Sequence, residues 1–227
     1  VKYNMKKGDL EDLAYTELKN AIVTGSCPPG MQIAEDMIAN QLNMSRSPVR
    51  VAIKRLQAEG FLERRANKRI YVTFANEKRT LDALYVREAL EGIAARLAAV
   101  SRTEDDIKQL QAIMSEAEEL IQQNNIYESY RIGFKMHKKI FCIARNEQLS
   151  RFGIITLEQE SVFSYRSLQN SLDRAKIAHQ EHEIIVNHII TGNADEAEAA
   201  ARQHIVRLQE RLLQYKLSDP TPRPLGF

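Results

Sequence analysis

The sequence predicts a mainly α-helical chain in two parts. A small head of three helices and a β-hairpin precedes a larger all-α antiparallel bundle of six or seven helices. Three observations carry this prediction. All six prolines (Pro28, Pro29, Pro48, Pro220, Pro222 and Pro224) lie toward the ends, so Val49 to Asp219 has none. Between Gly60 and the last residues the only glycines are Gly92, Gly133, Gly153 and Gly192, a scarcity that favours long helices. β-like runs occur only at 61–64 and 70–74, on either side of a basic segment. The 227 residues suffice for a core without disulfides, and 44% hydrophobic with 27% charged residues excludes collagen-like, disordered and disulfide-scaffold classes.

In the head, Leu10, Leu13, Ala14, Leu18, Ala21 and Ile22 recur at helical spacing, which predicts a helix over 9–24 with Asp9 as its N-cap. Gly25 and the Cys27–Gly30 turn end it. A short second helix is expected over 33–42, with Ile38, Ala39 and Leu42 inward. A break at 43–45 leads into a third helix, with Ser45 as cap and Pro48 in the first turn, where a missing N–H does no harm. The runs 61–64 and 70–74 then make a hairpin around Arg65, Ala66, Asn67, Lys68 and Arg69. Three helices and a basic hairpin compose a winged helix-turn-helix over residues 1–75. That arrangement offers the leading end of the third helix to the DNA major groove.

Charge agrees with this reading. Residues 1–75 carry 12 Lys/Arg against 8 Asp/Glu, and 46–69 alone carry 8 against 2, in a chain of net +2. Ser45, Arg46, Ser47 and Arg50 lie early in the third helix. Arginine bonds guanine bidentately, and serine suits phosphates or base edges.

The stretch Cys27–Met31, Ile33–Glu35, the block Met44-Ser45-Arg46-Ser47-Pro48-Val49-Arg50, and Leu56–Leu62 resemble the GntR family of bacterial transcription regulators over residues 10–74. The resemblance implies operator contacts from Ser45, Arg46, Ser47 and Arg50. It also implies a wing tip near Asn67, Lys68 and Arg69 that reaches the minor groove. Where some relatives carry a basic residue after the second-helix glutamate, this chain has Asp36.

After an expected linker at 76–79, helices are predicted over 80–101, 103–124, 127–144, 147–168, 171–191 and 194–217, followed by a proline-rich flexible tail at 218–227. Thr103 opens a capping-box sequence. The Gly192-Asn193 turn makes the last two helices an antiparallel hairpin. His182 lies 11 residues before Asn193 and His204 lies 11 after it. At 1.5 Å per residue both stand about 16 Å from the turn, level with one another. Each sits on its helix's apolar stripe, as does His137 beside Phe134, Ile140 and Phe141. Three imidazoles directed into one bundle are costly unless partnered. Metal ligation partners them, and hydrogen bonding within the core is the alternative for each taken singly.

Val86–Gly92, His182–Ile185 and Ala200–His204 resemble the FCD effector-binding domain of FadR-type members of the same family. The resemblance implies a divalent ion, zinc or nickel, held by His137, His182, His204 and an aspartate. Gly133 stands at the aspartate's position. Two versions follow: a metal completed by an effector carboxylate, or no metal and an anionic effector held by the histidines. Arg87 matches a pocket arginine suited to a carboxylate, and its alternative is a surface pair with Glu91. Tyr130 and Arg166 are further effector candidates.

The function expected is a homodimeric, effector-responsive regulator on double-stranded operator DNA, with a small carboxylate effector. The alternatives are a metal-dependent enzyme and a DNA-binding dimer without an effector. With no apolar run near 18–20 residues and a charged N-terminus lacking a signal-peptide core, the expectation is a cytoplasmic chain without a membrane partner, in which Cys27 and Cys142 are free thiols.

Overall fold

The computed structural model describes residues 7–74, 77–164 and 171–218. Residues 7–74 belong to one compact unit, and residues 77–160, 164 and 171–218 to another. Arg166, residue 76 of the expected linker and residues 219–227 of the expected tail lie outside the described residues.

In the head, α1 (Lys7–Val23) lays Ala14, Leu18 and Ile22 into a core completed by Val49, Ala52, Ile53 and Leu56 of α3 (Arg46–Ala58). α1 starts two residues before the expected cap. Asp9 sits in its first turn, where the helix dipole favours an anion. Ile33 is a correction: it belongs not to α2 (Glu35–Gln41) but to a short strand, β1 (Gln32–Ile33). The sheet order is β1-β3-β2, all antiparallel, with β2 at Leu62–Arg64 and β3 at Ile70–Val72. Ile33 opposes Ile70, so a β-branched side chain is buried against the hairpin while its backbone extends the sheet. Gly30 makes this possible. Its φ is +84°, and a Cβ there would collide with the Phe74 ring.

The second unit comprises α4 (Glu77–Ser101), α5 (Glu104–Gln122), α6 (Ile126–Ile143), α7 (Glu147–Ser164), α8 (Leu172–Thr191) and α9 (Ala194–Ser218), six helices among the described residues. Residues 77–79 of the expected linker and residue 218 of the expected tail are therefore helical. The Lys78–Asp82 pair, 2.6 Å apart, supports the first turn of α4. Ala94, Ala95, Ala98 and Ala99 are fully buried, and with Ala197 and Ala201 they give α4 and α9 a small-residue contact. Thr103 caps α5 reciprocally with Asp106, whose carboxylate also accepts from Lys139 (2.7 Å) and Arg145 (2.9 Å). The hydrogen bond from Lys139 leads the causes that hold the Asp106 carboxyl down to about 2, against the cost of its burial. Gly192, at φ +80°, ends α8 in the left-handed conformation and turns the chain into α9. No helix of the described residues is long and apolar enough to cross a membrane.

Candidate functional site

In the head, Ser45, Arg46, Ser47 and Arg50 are all exposed on the leading end of α3. Ser45 occupies the N-cap position with extended backbone, yet its hydroxyl makes no capping bond. The first amides of α3 therefore keep their capacity for a phosphate. The two arginines are held by acids of α2. Arg50 clasps Glu35 through Nε (3.0 Å) and Nη2 (2.8 Å), and Arg46 pairs with Asp36. Arg50's hydrogen bonds lower the Glu35 carboxyl. In the wing, Asn67, Lys68 and Arg69 are exposed, but Asn67 is engaged at both ends of its amide. Its Oδ1 accepts from the Arg69 amide at 3.0 Å and its Nδ2 donates to the Tyr71 hydroxyl at 2.9 Å. Asn67 thus shapes the turn that presents Lys68, whose φ is +63°, and Arg69.

Asp36 brings a negative charge to the face where DNA phosphates would lie. Asp36→Asn releases Arg46 and removes that charge, so duplex affinity is expected to rise by about two- to tenfold at low salt. A binding titration at two salt concentrations checks this, and an unchanged or weakened affinity contradicts it.

In the bundle, α6, α8 and α9 bring His137, His182 and His204 together. Their ring centroids are 4.7–5.3 Å apart and one nitrogen of each lies within 4.8 Å of the others. All three rings are buried. His137 Nδ1 lies 2.7 Å from Glu91 Oε2, and His204 Nδ1 lies 2.6 Å from Glu181 Oε2. An ionised carboxylate only accepts, so both Nδ1 atoms carry a proton and donate it, which leaves Nε2 of each ring as the atom able to offer a lone pair. Carboxylates on the outer nitrogens fix the ring orientation and tautomer, as they do for metal-bound histidines.

Burial and neighbouring groups act on these carboxyls and on two of the rings. Burial alone would raise the Glu91 carboxyl, but Arg87 and His137 outweigh it and hold it well below the usual range. Burial also works against Glu181, which His204, Arg211 and Arg207 nevertheless hold down. Burial pushes the His182 imidazole well below its ordinary value, helped by the neighbouring rings and Arg87. Burial likewise lowers His204, against the pull of Glu181. Three imidazole nitrogens converging in this way are the donor set that zinc or nickel takes, and the residues fit such an ion.

A cavity of about 90 Å³ opens beside the trio. Gly133 lines it, and a Cβ there would stand 3.1 Å from His182 Cε1. Tyr130 and Arg87 also border it. Arg87 forms the i,i+4 pair with Glu91 at 2.6 Å, but the pair is buried rather than on the surface. It positions Glu91, and through Glu91 the His137 ring. Sequence reasoning missed the orienting role of Glu91 and missed Glu181 altogether. It also missed Arg174, His179 and Arg211 on the cavity wall. Arg174, Ala178 and His182 recur at intervals of four on α8, a periodicity that could have placed the first on the histidine face.

Comparison with known proteins agrees with both halves. Residues 10–72 match the model of the bacterial regulatory proteins of the gntR family, and residues 82–207 match the FCD domain. The chain is 27% identical over 186 residues to the Nta operon transcriptional regulator of Aminobacter aminovorans, covering 82% of this chain and 86% of that one. It is 29% identical over 185 residues to a probable D-xylose utilization operon transcriptional repressor of Paenarthrobacter nicotinovorans, covering 81% and 80%. Among solved structures, E. coli McbR/YncC superposes with a TM-score of 0.74 at 17% identity, over 90% of this chain and 97% of that one. The two sequence relatives bear the names of transcription regulators, and with the match to a regulatory family this sets aside the enzyme alternative. The chain belongs to the GntR family of bacterial regulatory proteins, with an FCD domain following its DNA-binding head.

Proposed function

We propose that this regulator binds operator DNA as a homodimer and that a small organic acid, seated in the bundle beside a divalent metal, controls the binding. The observation that carries the reading is the inward convergence of the three histidine nitrogens, two of them backed by Glu91 and Glu181, on a cavity that Gly133 leaves without an aspartate. His137, His182 and His204 would hold zinc or nickel, and the bound ion would supply a Lewis-acidic seat for a carboxylate. The chain contributes the rest: Glu91 and Glu181 keep the rings oriented, Arg87 keeps Glu91 ionised, and the apolar wall excludes water. The arginines on the cavity wall favour an anion. In the head, Arg46 and Arg50 would exchange their acidic partners for base edges or phosphates, with Ser45, Ser47, Lys68 and Arg69 alongside.

A homodimer suits two half-sites on a near-palindrome. Val86, Ile93 and Val100 recur every seven residues on α4 and are exposed, a stripe that a second copy would cover. The acid can act on DNA binding only through unequal affinity for two states of the dimer.

Reconstituted with zinc and desalted, the chain is expected to retain about one equivalent, and the loaded form to bind short carboxylates in calorimetry. Retention below about a tenth of an equivalent overturns the metal. Carboxylate binding that persists in such a protein favours histidines holding the acid directly, and silence toward both favours the dimer without an effector.

A further inference from the structure

Arg64 ends β2 at the mouth of the wing and is exposed. Strand alternation decides which face of the sheet carries it. Ile33, Leu62, Ile70 and Val72 are buried, and they mark the face that packs on the helices of the head. Arg64 pairs with Ile70, and Ile70 with Ile33, so Arg64 stands in their row on that same face. Two residues after Ile33 comes Glu35, the acid of α2 that Arg50 clasps. The Glu35 carboxyl feels Arg64. Besides the hydrogen bonds of Arg50, and against burial, the charges of Arg50, Arg46 and Arg64 hold it down. Toward the wing, Arg64 Nη1 donates to the Lys68 carbonyl at 3.0 Å, inside the turn that presents Lys68 and Arg69. Arg65 turns the other way, over the Tyr71 ring at 4.2 Å and with Nε on Glu63 at 3.0 Å. Arg64 therefore sets a cation at the seam between the leading end of α3 and the wing.

We propose that Arg64 holds a phosphate of the DNA strand that runs between the two grooves, a backbone contact joining the contacts of α3 to those of the wing. The inference rests on the docking of the head argued above, with α3 in the major groove and the wing in the adjacent minor groove. One phosphodiester strand separates those grooves in a duplex, so a cation at the seam meets phosphate and not a base edge. A guanidinium suits that role, because its planar fork takes phosphate oxygens bidentately. The bond to Lys68 occupies one N–H donor and pins the group against the wing. The charge also has a use there. When Arg50 turns to DNA, Arg64 remains beside Glu35 to offset a carboxylate under the backbone. A phosphate contact contributes on any sequence, in contrast to the base contact assigned to Arg50.

Arg64→Gln and Arg64→Lys in the full-length chain, titrated against a selected and an unselected duplex at about 50 and 200 mM salt, test this. Each phosphate neutralised steepens the loss of affinity by about 0.9 in logarithmic slope, about threefold over that range. Arg64→Gln, whose amide can still donate to the Lys68 carbonyl, is expected to lose that increment at each half-site on both duplexes. Arg64→Lys, which keeps the charge, should retain it. Single neutral methylphosphonates along the selected duplex locate the contact: at one position beside the wing they should weaken wild type and leave Arg64→Gln unaffected. An unchanged salt slope in Arg64→Gln, an equal loss in Arg64→Lys, or a loss confined to the selected duplex overturns the inference. If Arg50→Ala still weakens the selected duplex, only the Arg64 contact falls. If Arg50→Ala changes nothing either, the docking of the head fails and the inference fails with it.

Discussion

Alanine at both His182 and His204 is expected to abolish zinc uptake and acid binding, while the duplex affinity of the acid-free protein stays within about twofold. Two of the three converging nitrogens are lost, and one imidazole does not retain zinc through desalting; even weaker perturbations around metal-bound histidines cost about 10- to 100-fold in affinity. The fold is expected to survive because no carboxylate is stranded. Glu181 keeps Arg207 and Arg211, each 3.5 Å away, after His204 is gone. His204→Asn separates ligation from packing, since an asparagine amide can still donate to Glu181 but offers nothing in place of Nε2. Elemental analysis beside a thermal melt reads both. Zinc loss with a near-native melt is the expected result. A collapse of the melt in both variants would make these residues ordinary core histidines.

Arg50→Ala is expected to weaken binding to a duplex selected from a random pool by about 5- to 150-fold, the range for loss of a bidentate arginine–base contact. Binding to unselected DNA should fall much less, because a base contact contributes specificity and phosphate contacts contribute the general affinity. Arg46→Ala should behave in the same direction. The structure adds a condition. Both arginines are already engaged, Arg50 with Glu35 and Arg46 with Asp36, so DNA must offer more than the acids it displaces. Exposed ion pairs of this kind are weak and are screened by salt, and a guanine edge or phosphate replaces them readily. Selected-duplex affinity unchanged in both variants would remove the leading end of α3 from the interface.

The head was readable because its signals are local. Proline at Pro48, glycine at Gly30 and the basic segment between two apolar runs each act within a few residues. Ile33 escaped because its strand partner, Ile70, is far along the chain, and helical spacing through Ile38 and Ala39 looked continuous with it. The level heights of His182 and His204 followed from one turn and a rise per residue, which is why the histidine cluster could be expected. Its supports could not. Glu91 and Glu181 have the ordinary composition of solvated helix faces, and only the packing of α4 against its neighbours, α6 among them, and of α8 against α9 buries them. His179 was hidden for the same reason, since only the assembled helices decide which ring lines the cavity. Arg87 was legible as a partner of Glu91 but not as a buried one, since spacing reports proximity and not solvent.

Duplex binding by the zinc-loaded full-length chain, followed by fluorescence anisotropy on a selected sequence with and without saturating short carboxylic acid, tests most directly whether the bundle governs the head. Coupling of ordinary allosteric size predicts a shift in affinity of about 5- to 150-fold, and no shift in the His182→Ala, His204→Ala double variant. Identical binding curves with and without an acid that calorimetry shows to be bound would contradict it.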